Sequence, residues 1–267
     1  MRSLALALIP FLVFVGAALL GMRLRSRLKE RHKGPETTDL LRMATTMLVT
    51  FAALVLGLLI SSAKRNYDNV EDAIYKYAAA LIELDNSVHA FGPVGDALRH
   101  DLAQYTAAMI ATTWTTQAPP PGDYYPKELD TARDYIPMQS AELGDILKKV
   151  EAGIYAMPNA TPTQAALRQD AIQRMNQVWD RRWNLISTSD VSFSLPFYMT
   201  LGFWLVIVFL ALGLTAPFNA LSFLTVALSA VSISSAFFVI VDLSSVYTGI
   251  FYVSSAPVRG ALAQMLH

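Results

Sequence analysis

The chain has 267 residues, of which 54% are hydrophobic and 16% charged, with a mean hydropathy of +0.37, a composition too apolar for an ordinary water-soluble domain. Its formal net charge is zero, yet residues 66–194 hold 17 Asp and Glu against 10 Lys and Arg, leaving four acids and eleven bases elsewhere; an acidic water-facing segment has no clustered cationic surface for phosphates, which excludes nucleic acid as a partner. The absence of cysteine excludes disulfides and thiolate metal sites.

Ser3 to Met22 carries no charge and is long enough to cross a bilayer as a helix, since lipid-embedded helices tolerate a proline such as Pro10. Its bases follow the apolar stretch instead of preceding it, which argues against a secretory signal. Arg23, Arg25, Arg27, Lys29, Arg31, Lys33 and Arg42 come next, and Met43 to Ser62 is the second span. The positive-inside rule makes this basic loop cytoplasmic, against only Lys64 and Arg65 on the other flank, and places both termini and residues 66–194 outside the cytoplasm. The cluster reads as a topology determinant in contact with anionic lipid, in preference to a specific ligand site.

From Val70 the apolar residues recur as Val70, Ile74, Tyr77, Leu81, Leu84, Val88 and Phe91, which keeps one seam along a helix continuous with the second span until Gly92-Pro93 stops it. Leu98, Leu102, Tyr105, Met109 and Thr112 predict a second helix folding back along the first. The proline run from Ala118 is a rigid, extended connector. A shorter helix covers about 139–156. Thr161 then caps a helix that starts at Pro162, with Leu167, Ile172, Met175, Trp179, Arg182 and Ile186 on its inner face. Trp179, Trp183, Phe197 and Tyr198 fit either an interfacial aromatic belt or bundle core. Phe197 to Leu214 is the third span, Leu221 to Val241 the fourth, and Pro217 and Asn219 supply the turn between them.

The predicted fold is therefore all-α: a membrane protein with four transmembrane helices and an inserted water-exposed helical bundle. Its regions are residues 3–62 with the basic loop 23–42, the helical domain 66–194, the hairpin 197–241 and a C-terminal tail 242–267.

Candidate chemistry is sparse. Ser222, Thr225, Ser229 and Ser232 share one face of the fourth span, with Ala236 continuing it, and read as close helix packing or as the lining of a polar conduit. Thr46 and Thr50, beside Thr45 in the second span, offer a second hydroxyl face. Asp242 abuts the end of the fourth span and has Arg259 as its nearest basic candidate for an interfacial charge pair; the alternative is a solvated aspartate. Asp68, Glu71 and Asp72 form an acidic collar beside Lys64 and Arg65, explained by helical pairing in preference to a calcium site, since the spacing matches no ligand loop. Four scattered histidines, with no nucleophile elbow, phosphate loop or zinc motif, predict no enzyme, no cofactor and no bound metal.

Two stretches resemble a bacterial family of four-span membrane proteins described as bestrophin-like. One is Leu58 to Ile74 (LLISSAKRNYDNVEDAI), a serine- and alanine-rich exit from a span that runs into a long helix. The other is Asp242 to Leu262 (DLSSVYTGIFYVSSAPVRGAL), with an aspartate, aromatics, a glycine and a final proline after the last span. The resemblance covers most of the chain and implies kinship with pentameric anion channels, hence a homo-oligomer in the bilayer with small anions as partners. The channels' apolar pore neck and acidic calcium clasp have no counterpart here, so no gating or selectivity residue is carried over. The animal channels also keep their helical region in the cytosol, opposite to the charge-based orientation.

Two functional readings stay open. One is an oligomeric anion channel with spans two and four facing the axis and the helical bundle as a vestibule. The other is a non-conducting membrane scaffold or sensor whose extracytoplasmic bundle binds a partner.

Overall fold

The computed structural model describes residues 2–28, 34–126, 140–189 and 195–267; Lys29, Arg31 and Lys33 of the basic loop lie outside them. Every regular element among these residues is a helix: α1 (Arg2–Arg27), α2 (Pro35–His89), α3 (Pro93–Thr113), α4 (Ala141–Ala156), α5 (Pro162–Ser189), α6 (Leu195–Thr215), α7 (Ala220–Ser244) and α8 (Ala256–Met265). The chain divides into two compact units, Met1–Arg65 with Ser192–Ser245, and Asn66–Val191 with Val246–His267. α2 is one continuous helix to which both units contribute residues.

Among the described residues four helices are long and apolar enough to cross a membrane: α1, α6 and α7 of the first unit, and α2, which belongs to that unit as far as Arg65. Hydrocarbon offers no partner for peptide groups, so a segment of this composition satisfies them internally as a helix. α1 packs on α6 and α7, around a core of Phe14, Ala18, Leu201, Leu205, Phe209, Ala230 and Phe237. The Phe14 and Phe209 rings stack at 5.0 Å, and Phe237 meets Phe14 edge-on at 5.9 Å. Tyr198 donates to the Phe237 carbonyl at 2.9 Å, fixing the start of α6 against α7. The tight turn is as the sequence predicts: Asn219 caps α7, its side chain accepting from the Ser222 amide at 2.8 Å.

Two glycines allow α1 and α6 to approach. A Cβ on Gly21 would overlap the Leu210 carbonyl oxygen, and one on Gly213 the Ala18 carbonyl oxygen. Small residues at a helix crossing let backbones touch in a solvent where burial of apolar surface no longer drives association.

The second unit is a helical bundle built on the predicted seam. Val70, Ile74, Tyr77, Leu81, Leu84 and Val88 are all buried, as are Leu102, Tyr105 and Met109 of α3, in one apolar cluster with α4, α5 and α8. Gly92, with φ 65°, makes the turn into α3 in the left-handed region that favours glycine, and Pro93 opens the next helix. Thr161 and Gln164 cap α5 reciprocally: Thr161 Oγ1 accepts from the Gln164 amide at 3.2 Å, and Gln164 Oε1 accepts from the Thr161 amide at 3.3 Å. The inner face of α5 is Ala171, Met175, Val178, Arg182, Leu185 and Ile186, so Leu167 and Ile172 stand nearer the rim than their spacing suggests. Trp179 is half-buried and donates to Glu151 at 3.2 Å, whereas Trp183 is exposed.

Two pairs of polar side chains inside this bundle hold one another. The Tyr77 and Tyr105 hydroxyls meet at 2.6 Å. Burial, and then the neighbouring Tyr105, push the Tyr77 hydroxyl well above the usual phenol range, although Arg182 acts the other way. Arg182 is buried with its guanidinium over the Trp179 and Trp183 rings at 5.4 and 5.6 Å. Arg99 grips the buried Asp85 through two hydrogen bonds of 2.8 and 3.2 Å and also donates to the Met265 carbonyl at the end of α8.

Residues 246–267, set apart by sequence as a tail, belong to this second unit, and α8 packs on α3. Val258, Ala261, Leu262 and Met265 form its buried face. Trp114 Nε1 donates to the Val253 carbonyl at 2.7 Å. Tyr247 meets Ser189 at 2.6 Å, and burial pushes its hydroxyl up to about 12.

The glycine contact yields a direct test. Gly213→Ala is expected to destabilise the detergent-solubilised protein by about 1–3 kcal/mol through overpacking. Gly202→Ala, where a Cβ meets nothing within 4 Å, leaves the thermal midpoint unchanged or slightly raised. Equal midpoints for the two variants would remove the close α1–α6 crossing.

Candidate functional site

The four apolar helices differ in how much of their surface the chain itself covers. Of the most apolar window in each, 28%, 33% and 28% of residues are buried in α1, α6 and α7, but only 6% in α2, whose window has the highest hydropathy at 2.3. α2 touches the core of its unit along one edge, through Ala52 with Val55, Leu56 and Leu59. The opposite side carries Leu40, Met43, Met47, Phe51, Leu54 and Leu58, each between 55% and 68% exposed. Those positions step by threes and fours, the spacing that lets side chains of one helix seat between those of another. The span is apolar on every side, so the sequence does not single out this face as the uncovered one.

Thr46 and Thr50 lie on the same face. Both are exposed, and their hydroxyls donate to the Arg42 and Thr46 carbonyls at 2.9 Å each. The stripe on α7 also points outward: Val226, Ala230, Ser234, Phe237 and Ile240 enter the core, whereas Thr225 and Ser232 are exposed and Ser222 and Ser229 half-exposed. Thr225 and Ser229 donate to the carbonyls four residues earlier, at 2.9 Å each. These hydroxyls therefore do not mediate the packing of α7 on α1, which falls to Val226, Ala230 and Phe237. A hydroxyl bonded to its own helix is compatible with lipid, and its single proton can rotate outward to meet an anion.

The remaining sequence-derived residues take separate places. Arg23, Arg25 and Arg27 occupy the last turns of α1, and Arg25 donates to the Thr215 carbonyl at the end of α6. Asp242 is buried in the last turn of α7, in the first unit. Arg259 sits in α8 of the second unit and donates to Ser255 Oγ at 2.8 Å and to the Ala118 carbonyl at 2.6 Å. In the acidic collar, Asp72 pairs with Lys76 at 2.5 Å, as helical spacing of four favours. Among the described residues no three potential ligands come together for a metal ion.

A family model described as the Bestrophin-like domain matches residues 12–258. No curated protein matches the sequence. Among solved structures, the chain is similar to bacterial bestrophin homologues from Klebsiella pneumoniae. A tryptophan-to-alanine variant is 12% identical with a TM-score of 0.67, covering 100% of this chain and 97% of that one. A leucine-to-threonine variant is 13% identical with a TM-score of 0.63, covering 97% of each. At such identities these likenesses establish the helical fold, and the family model carries the kinship.

Proposed function

The chain belongs to the bestrophin-like family, and from that premise we propose that copies of it assemble about an axis faced by α2 and α7 and conduct small anions along it. The observation that carries this reading is the uncovered seam of α2. A water-filled path does not fit inside one copy, because the middle of its four-helix unit is filled by Phe14, Phe209 and Phe237. A ring of copies encloses such a path and covers the seam at once. The exposed hydroxyls of Thr46, Thr50, Thr225 and Ser232 then offer rotatable donors to an anion that has shed part of its hydration. In this arrangement the helical unit serves as a vestibule.

Orientation follows from charge. With seven bases between Arg23 and Arg42 against Lys64 and Arg65 on the other flank of the second span, the basic loop stays in the cytoplasm and the helical unit lies outside it.

Reconstituted into liposomes, the protein is expected to pass chloride and to have a mass in detergent several times the 29.3 kDa of one chain. Thr50→Val and Thr225→Val lower the flux while changing stability by less than about 0.5 kcal/mol, as surface substitutions do. A monomeric mass, or an assembled protein that passes no anion, contradicts conduction. Orientation is read independently: Thr116 is exposed and the chain has no cysteine, so Thr116→Cys is a unique thiol. A membrane-impermeant maleimide should label it in intact spheroplasts; labelling only after lysis would reverse the orientation.

A further inference from the structure

At the arginine end of α1 the first unit holds a cavity of about 350 Å³, lined by Leu19, Met22, Phe218, Asn219, Ala220 and Phe223. This is room for roughly a dozen waters at about 30 Å³ each, but only Asn219 among the six side chains has hydrogen-bonding groups, and it already caps α7 through its oxygen. Water gains little there. Phe218 is 84% exposed and Phe223 49%, so the rim of the cavity is apolar as well.

Charge is set at the same place. Arg23 follows Leu19 by four residues, so it stands one turn beyond that lining residue with its side chain exposed, while Arg25, two positions on, leaves α1 on another side. Arg25 is held by its bond to the Thr215 carbonyl, which begins the turn carrying Phe218. The amino end of α7, at Ala220, contributes its partial positive charge.

We propose that this cavity takes an acyl chain of an anionic phospholipid, whose phosphate is held by Arg23. The occupant is chosen by the two halves of the site together. An apolar pocket alone would accept any lipid, and an arginine alone any anion; their adjacency at the end of a membrane span selects a molecule with both parts. The site lies within one chain and is independent of whether the assembled protein conducts.

The test is native mass spectrometry of the full chain in detergent, titrated with phosphatidylglycerol and with phosphatidylcholine of the same acyl chains. The first phosphatidylglycerol should bind about tenfold more tightly, as expected for a surface arginine and a helix amino end acting on an anionic headgroup. Arg23→Gln, an exposed position, should reduce that preference to within about twofold while leaving the thermal midpoint in place. Ala220→Phe, which fills the cavity from the first turn of α7, should weaken retention of both lipids. Equal binding of the two lipids by the unaltered chain overturns the proposal. So does a preference that survives Arg23→Gln, or undiminished retention in Ala220→Phe.

Discussion

The side of α2 that runs from Leu40 to Leu58 constrains everything else about this protein. Its backbone is satisfied internally, so lipid alone could surround it, and no hydrophobic force pulls one apolar helix onto another inside a bilayer. What distinguishes the seam is how little of it the chain covers: 6% of the most apolar window of α2 is buried, against 28–33% in the other three spans. The other three spans pack on one another within the chain, through the Phe14–Phe209–Phe237 cluster and the Gly21 and Gly213 contacts.

The same helix obeys a different solvent further along. From Val70 to Val88 its seam is buried in a water-side bundle, where burial of apolar surface supplies the driving force at roughly 25 cal/mol per Å². Between the two stretches stand Lys64, Arg65 and Asp68, the first charges after Arg42. One uninterrupted helix thus presents large apolar residues outward where hydrocarbon accepts them and inward where water does not. The second unit also absorbs residues 246–267, tied by Trp114, Arg99 and Arg259 to carbonyls and side chains of both partners.

Much of this was legible in the sequence because it rests on local chemistry. The apolar runs, Gly92-Pro93, the Thr161–Gln164 cap and the Asn219 turn each act within a few residues of where they stand. The α5 inner face was legible only in part, since whether Ile172 or Val178 enters the core depends on the neighbouring helices. Helix α8 was overlooked because ten residues give too short a period to stand out beside a proline and a glycine. The α1–α6 crossing was also invisible: Gly21 and Gly213 are far apart in sequence, and a lone glycine in an apolar helix does not announce a partner. For the hydroxyl stripe on α7, sequence fixes which residues share a face but not which way that face turns, and it turns outward. Asp242 belongs to the first unit and Arg259 to the second.

The account stands on other copies of the chain covering the α2 seam, and a short-range cross-link measures that most directly. Because the chain has no cysteine, Leu54→Cys and Phe203→Cys, at positions 60% and 62% exposed, each give one thiol in the membrane unit. With a short bifunctional maleimide in native membranes, Leu54→Cys should yield covalently joined copies in high proportion, and Phe203→Cys, on α6, few. A Leu54→Cys protein that stays monomeric under these conditions, or cross-links no better than Phe203→Cys, would mean that lipid and not another copy faces α2.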